Sequence, residues 1–335
     1  MLRFLALIPP GEADAASGET LSIVVPAHNE EKNLEPLARR LEEALRESPV
    51  SWRIFFIDDG SEDGTWETIV RLSRGVSRVT GVRLTRNFGH QNALLAGLSV
   101  ARGRAVVTMD ADLQHPPEIV PRMLEAWSRG ARVVYTERED AASASFFKRI
   151  SSKLYYRMLS FLSGRPVPPA ASDFRLLDRA VVDEVLRVGE TQMFLRGLIP
   201  WMGFRSASVP YTAPARAHGR SSYGIARMVS LGLTGLTSMS SRPLRWSGLL
   251  GCFAAFLCLC ELAFVLWAAL IAKSSVPGWA SILVVNTFFF AVLFVCLGIL
   301  GEYLARIFEN VKSRPRFIVD ETVNGPASGG APPRR

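Results

Sequence analysis

From Leu21 onward, short runs of consecutive apolar residues alternate with longer stretches in which apolar positions recur every three or four residues. The runs Leu21–Pro26, Arg53–Ile57, Val79–Leu84, Ala105–Met109 and Arg132–Tyr135 predict strands. Glu31–Glu47, Gly64–Arg74, His90–Arg102 and Pro117–Arg129 predict the helices between them. Strands that are apolar throughout, rather than at alternate positions, are covered on both faces. The expected fold class is therefore α/β, with a mostly parallel sheet. Ligands of such sheets bind beyond the carboxyl ends of the strands, and this chain places acidic clusters there.

The pattern then changes. In Phe146–Leu162, Phe147, Ile150, Leu154, Met158 and Phe161 follow helical spacing beside Arg149, Lys153 and Arg157. This predicts an interfacial helix on an anionic membrane, against the alternative of an ordinary surface helix packed on the core. Residues 223–245 are a weaker juxtamembrane candidate of the same kind. Leu249–Ala272 and Trp279–Gly301 are apolar segments with Glu261 as their one charge, and both exceed the ~20 residues a bilayer-spanning helix needs. Basic residues lie before the first (Arg242, Arg245) and after the second (Arg306, Lys312, Arg314, Arg316), whereas Lys273 is the one charge in the turn. The positive-inside rule puts both termini and the α/β head in the cytoplasm, on a two-helix transmembrane hairpin spanning about 246–303. Glu261 either faces protein or water, at an oligomer contact or an acceptor path, or snorkels to the interface.

The remaining segments are simpler. Residues 1–20 read as a flexible tail, because Phe4–Ile8 is too short for a signal-peptide core. Residues 304–335 read as a cytoplasmic tail, and 21–222 as the catalytic head.

Composition narrows the class. Hydrophobic residues make up 48% and charged residues 21% of 335 residues, which excludes general disorder. A net charge of +8 suits anionic lipid or phosphorylated substrates. Zinc-finger spacing, a basic helical region and heptads are all lacking, so no nucleic-acid partner is expected. Cys252, Cys258, Cys260 and Cys296 lie in apolar runs and read as small packing residues.

Three clusters carry candidate chemistry. Asp110-Ala111-Asp112-Leu113-Gln114 follows a buried strand. In extended backbone, residues two apart point the same way, so Asp110 and Asp112 can share a target. Paired carboxylates there suit Mg²⁺ or Mn²⁺, completed by water and phosphate oxygens. Asp58-Asp59-Gly60-Ser61-Glu62-Asp63 ends another strand. One of Asp58 and Asp59 should face a nucleoside, and Ser61 or Asp63 should cap a helix. Pro26-Ala27-His28-Asn29-Glu30 ends the first, with Asn29 as a candidate cap.

Together these clusters resemble glycosyltransferase family 2, the nucleotide-sugar transferases of GT-A fold. Arg86-Asn87-Phe88-Gly89-His90-Gln91 and Asp110 through Glu118 resemble its polyprenyl-phosphate branch, which includes dolichol-phosphate mannose synthase and the bacterial undecaprenyl-phosphate glucosyl and aminoarabinosyl transferases. Ser172-Asp173-Phe174-Arg175, Arg242-Pro243-Leu244-Arg245, Leu300-Gly301-Glu302-Tyr303-Leu304 and Arg314-Pro315 fit the bacterial two-span members. The resemblance covers about Leu21 to Val319.

The resemblance implies a Rossmann-like GT-A head and a set of site residues. Pro26, His28, Glu30, Asp58, Asp59 and Ala111 would hold the donor, with Arg138 near its phosphates. Asp110, Asp112 and Gln114 would hold the metal and diphosphate, and Lys148, Arg149, Arg216 and Arg220 would meet the acceptor phosphate. Asp112, Asp173 and Arg216 would be catalytic, with Asp173 orienting the acceptor or acting as a base, against the alternative that it only pairs with Arg175 or caps a helix. Two positions depart from the family. His28 replaces its usual tyrosine, and Ser222 replaces the lysine of its Gly-x-Ser-Lys-Tyr motif, where Arg220 offers a charge instead. The histidines His90, His115 and His218 lack metal-ligand spacing and read as ordinary polar residues.

The implied activity is a metal-dependent, inverting hexosyl transfer from a nucleotide-sugar, with UDP-sugars favoured, to a polyprenyl phosphate, foremost undecaprenyl phosphate. It would act at the bacterial inner membrane and feed cell-envelope glycan modification, with a homo-tetramer as the assembly the resemblance suggests. A processive polysaccharide synthase is the first alternative, but Gln192 through Gly197 misses its Gln-x-x-Arg-Trp spacing. A non-catalytic nucleotide-binding membrane scaffold is the second.

Overall fold

The computed structural model describes residues 20–138, 173–190, 193–212, 242–270, 278–312 and 314–325. They fall into two compact units, one of residues up to 224 together with those from 315 onward, the other from 225 to 314. The expected helix Phe146–Leu162, the juxtamembrane segment up to Ser241, and the site residues Lys148, Arg149, Arg216 and Arg220 lie outside the described residues.

The first unit is built on an eight-stranded sheet. In chain order its elements are β1 (Leu21–Ala27), α1 (Glu31–Leu45), β2 (Trp52–Asp58), α2 (Thr65–Gly75), β3 (Val79–Leu84), α3 (His90–Val100), β4 (Ala105–Thr108), α4 (Val120–Ser128), β5 (Val133–Arg138), β6 (Arg175–Asp178), α5 (Arg179–Arg187), α6 (Leu195–Met202) and β7 (Ser206–Tyr211). Every residue of β1 and β4 is buried, as unbroken apolar runs require. One face of the sheet packs on Leu34, Leu37, Leu41, Trp66, Met123 and Trp127. The other packs on Leu94, Leu98, Val181, Val185 and Leu198. Gly97 permits the closest approach, since a Cβ there would stand 2.2 Å from Val24 Cγ1.

Strand order is β7-β5-β6-β4-β1-β2-β3-β8, where β8 is Val319–Val323. β1 pairs in parallel with both β2 and β4, so the chain winds outward in opposite directions from the β1/β4 boundary. That boundary is a topological switch point, where α/β sheets open a crevice for ligands. The sheet is less parallel than its apolar runs predict. β6 is antiparallel to both β4 and β5, and β8 is antiparallel to β3.

The second unit holds α7 (Arg242–Leu270) and α8 (Trp279–Lys312). Both are long and apolar enough to cross a membrane. Large apolar side chains such as Phe253, Phe256, Phe264, Phe290, Phe294 and Leu304 stand exposed along them, an arrangement water penalises over so large an area. Cys296 Sγ lies 3.4 Å from the Ser247 carbonyl across the pair, and Cys252, Cys258 and Cys260 are unpaired on α7.

The expected tail from residue 304 is corrected here. α8 runs on to Lys312, and Val319–Val323 forms β8 (Val319–Val323) on the free edge of β3. Arg316, expected as a membrane flank, is half-buried in the first unit, where Nη1 lies 3.7 Å from Met193 Sδ and Nη2 donates to the Val188 carbonyl. Burial lowers its pKa, against the opposing charge of Glu190. Asn324 closes the strand at φ 52°, its amide donating to Val79 O at 2.7 Å and Ser77 O at 3.0 Å. Asn324→Ala should destabilise this unit by about 1–3 kcal/mol, read by chemical denaturation, because two backbone carbonyls lose a donor and αL loses a favoured residue.

Candidate active site

The first cluster forms where β1 ends. Pro26 is buried in the strand, and Asn29 turns the chain with φ 57°. The expected helix cap at Asn29 is not made. Instead its Oδ1 accepts from Glu62 N at 2.9 Å, while its own N–H donates to Ser61 Oγ at 3.0 Å, which ties the β1 loop to the β2 loop. Glu30 N donates to Thr65 Oγ1 at 2.9 Å, and Asn33 Nδ2 donates to Glu30 Oε2 at 2.5 Å. Asp63, not Ser61, supports the start of α2, accepting from Thr65 N at 3.0 Å.

Asp58 and Asp59 point apart, but neither lies open. Asp58 is wholly buried, with Oδ1 accepting from Ser61 N at 3.1 Å and Oδ2 standing 3.6 Å from Arg83 Nε. These contacts tie the Asp58 carboxylate to its own loop and to β3. Asp59 accepts from Phe88 N at 2.7 Å and Gly89 N at 2.9 Å, so it anchors the Arg86–Gly89 loop beside the first cluster. Burial raises its pKa, and those two amides oppose the rise. Gly60, at φ 65°, lets this loop close, since a Cβ there would fall 2.5 Å from Arg86 C. The exposed His28 completes the group, with Nδ1 3.0 Å from Asp59 O and Nε2 3.1 Å from Asn87 Nδ2.

The second cluster follows β4, which ends at Thr108. Asp110 to Asp112 are therefore not extended strand, and the alternation argument for their shared direction does not apply. A bend with Leu113 at φ 62° positions them instead. Gln114 N donates to Asp112 Oδ1 at 3.1 Å, while Ala111 is buried.

Two histidines, expected as ordinary polar residues, flank Asp110, His90 exposed and His115 buried. Asp110 N donates to His115 Nδ1 at 2.9 Å. That ring's proton is thereby assigned to Nε2, which faces Asp110 Oδ2 at 3.7 Å. His115 is stacked on Phe174 at 4.9 Å, which locks the ring. His90, at the first turn of α3, places Nε2 3.4 Å from Asp110 Oδ1 and 3.5 Å from Asp173 Oδ2. Burial opposes its charge, but the Asp173 contact and the charges of Asp110 and Asp173 prevail and raise its pKa.

Asp173 is 2% exposed and surrounded by cations. Oδ1 accepts from Arg175 Nη2 at 2.5 Å, and Oδ2 accepts from Arg196 Nη2 at 2.7 Å and Nε at 3.1 Å. Burial alone would raise its pKa, yet the His90 contact and the charges of Arg196 and Arg175 hold it well below the carboxylate range. Asp173 is thus the centre of an ion-pair cluster with Arg175, Arg196 and His90. Arg175 is equally buried, and next to it in register Tyr135 has its pKa pushed up to about 12 by burial, an effect the Arg175 charge opposes. Arg138 ends β5 opposite Tyr211.

The donor set fits a hard divalent cation. Asp110 Oδ1 is buried without a hydrogen-bond donor among the described residues, an orphan a metal would satisfy. No group of three or more His, Cys, Asp and Glu suited to a metal occurs among the described residues. Asp110 and Asp112 would thus share the ion with phosphate oxygens and water.

Acidic clusters after β2 and β4, beside the switch point of a doubly wound sheet, lie where α/β enzymes bind their ligands, and two helices apolar enough to cross a membrane follow in the chain. Residues 22–186 match the family model described as glycosyl transferase family 2. The chain is 36% identical over 301 residues to an uncharacterized glycosyltransferase, YkcC, of Bacillus subtilis (strain 168), covering 90% of this chain and 93% of that protein. It is 34% identical over 305 residues to the SfII prophage-derived bactoprenol glucosyl transferase of Shigella flexneri, covering 91% and 99%. A crystal structure of a mycobacterial protein is similar at TM-score 0.51 and 19% identity, covering 72% of this chain and 77% of that one. The protein belongs to glycosyl transferase family 2. It is a glycosyltransferase with a GT-A head.

Proposed function

We propose that the protein transfers a sugar, glucose first among the candidates, from a nucleotide-sugar, a UDP-sugar foremost, to a polyprenyl phosphate on the cytoplasmic face of a bacterial inner membrane. One observation carries this reading: the likeness to a bactoprenol glucosyl transferase extends over 99% of that protein's length, apolar helices included. The orientation has support from the fold. β8, after the second helix, belongs to the same sheet as the strands before the first. Both ends of the helical pair therefore lie on one side of any membrane they cross.

In this reading the lipid phosphate needs no general base, since a phosphate monoester is largely dianionic at neutral pH. Its oxygen attacks the anomeric carbon from the face opposite the nucleoside diphosphate. The new C–O bond forms as the bond to the diphosphate breaks, which inverts the centre and gives a lipid-phospho-sugar. Asp110 and Asp112 would hold a divalent cation, which when bound would supply charge stabilisation to the departing diphosphate. His28 and Asn87 line the nucleoside side of the site, on loops that Asp59 anchors, and His115 fixes the orientation of Asp110.

The test is transfer itself. The detergent-purified protein is given undecaprenyl phosphate, Mn²⁺ or Mg²⁺, and labelled UDP-glucose, UDP-N-acetylglucosamine, UDP-galactose or GDP-mannose. Label should enter the organic phase from one donor, disappear with chelator, and disappear in Asp112→Ala. Folded protein that binds UDP yet yields no lipid-linked product from a broadened donor panel would sink the reading.

A further inference from the structure

We infer that Arg316, Phe317 and Ile318 position the Arg86–Gly89 loop for the donor nucleotide, a role resting on the proposed use of a nucleotide-sugar. The parallel ladder between β2 and β3 ends at the pair Asp58–Arg83. β3 runs one residue further, to Leu84, and there its partner is β8: Leu84 pairs with Val319 after a shift of register that follows Arg83. Thr85 N then donates to Ile318 O at 3.0 Å. The far end of the loop is held from the other side, by Phe88 N and Gly89 N on the Asp59 carboxylate. Arg86 and Asn87 thus lie between two backbone anchors, one at the end of β2 and one supplied by the chain that follows α8.

What this interval presents is Asn87. Its Nδ2 stands 3.1 Å from His28 Nε2, and its Oδ1 accepts from Gly89 N at 3.0 Å, so the amide is aimed by the backbone around it. Phe88 of the loop and Phe317 of the returning chain pack against the same buried cluster, which contains Leu84 and Leu94. Displacing Phe317 therefore removes support from the apolar group on which the loop rests.

β8 itself is a weak attachment. Its residues are exposed or half-buried, and among the described strands it pairs with β3 alone. It is held by its ends. Asn324 fixes one, with its amide on Val79 O and Ser77 O and its carbonyl accepting from Thr80 Oγ1 at 2.9 Å. Arg316 and Phe317 fix the other, with the guanidinium donating to the Val188 carbonyl. An edge strand held in this way opens locally at a free energy below that of unfolding the whole head. When docked, it keeps the loop in one arrangement, and a preordered loop binds more tightly because less freedom is lost on binding.

The test uses the full chain with Arg316→Ala and Phe317→Ala combined, with Arg316→Lys, and with Asn324→Ala as the control, since the last weakens β8 at the end remote from the loop. Amide hydrogen exchange reports whether Thr85 has lost its partner. Calorimetric titration gives the Kd of UDP with Mn²⁺, or of GDP where UDP does not bind. The double variant should exchange the Thr85, Phe88 and Gly89 amides faster and raise the nucleotide Kd about tenfold. In turnover, the KM for the nucleotide-sugar should rise while kcat and the KM for undecaprenyl phosphate change little. Arg316→Lys keeps a donor and should lie between the double variant and wild type. Asn324→Ala should lose stability while its nucleotide Kd stays within about twofold of wild type.

A nucleotide Kd that simply follows unfolding free energy across all three variants overturns the assignment. So does a Kd within about twofold of wild type once the Thr85 amide exchanges freely, and β8 is then only a cover for the sheet edge. If Thr85 stays protected in the double variant, a chain ending at Arg314, which lacks the segment outright, is titrated and read by the same criteria. Exchange and titration need no turnover. A wild type that binds nucleotide without transferring sugar refutes the proposed reaction, and the shift in Kd still decides this assignment. A wild type that binds neither nucleotide removes the donor reading and this assignment with it.

Discussion

Asp110→Asn should lower sugar transfer by on the order of 10²–10³-fold while leaving thermal unfolding of the head nearly unchanged. The substitution keeps the size of the side chain, and the Asp110 backbone N–H still donates to His115 Nδ1. What it removes is charge at an oxygen that is buried and lacks a hydrogen-bond donor among the described residues. A neutral amide is a poor ligand for a hard divalent cation. Mn²⁺ binding, followed by electron paramagnetic resonance in the presence of UDP, should weaken in parallel with activity. Full Mn²⁺ affinity together with lost turnover would remove Asp110 from the metal site and make its partnership with His90 the reason for the defect.

The second large effect is on stability. Asp173→Ala should destabilise the head by about 3–5 kcal/mol, because it strands the buried Arg175 guanidinium without its counter-ion. Wild-type stability should also depend on pH through the same carboxyl. Its folded pKa lies well below the ordinary value, so the unfolded chain binds the proton more readily. The stabilisation is fully present above the unfolded carboxylate value near 4 and is lost as pH falls through that value toward the folded one. Urea unfolding followed by tryptophan fluorescence should give a midpoint that falls with acidification in wild type. In Asp173→Ala the fall should be shallower. Equal slopes would show that the ion-pair centre does not govern acid sensitivity.

Much of the site was legible because it sits where short-range rules are strong. Asp59, Asp110 and Asp112 follow unbroken apolar runs, and a buried parallel strand delivers its next residues to the ligand crevice. Finer inferences from spacing failed where the strand stopped early. Extended geometry was expected through Met109, but β4 ends at Thr108, so a bend at Leu113 orients the acidic pair instead. Asp58 and Asp59 were distinguishable by alternation. That Asp58 is closed off by Ser61 and Arg83 depends on a residue of a different strand.

His90, His115 and Arg196 were not legible as site residues. Each gains its meaning from a partner distant in the chain: His90 from Asp173, Arg196 from Asp173 and Arg175, and His115 from its stack on Phe174. No periodicity links such positions.

The sequence by itself determined the α/β head, the order of its first five strands, the two long apolar helices and the acidic ends of β2 and β4. These follow from local periodicity and from the cost of leaving apolar surface in water. Only the tertiary structure decided that β6 runs antiparallel, that Asp173 is an ion-pair centre, and that residues after the second helix return as β8. The physical reason is the same in each case. Strand pairing at a sheet edge and the sharing of a buried carboxylate are contests among groups far apart in sequence, settled by which partners reach the same place.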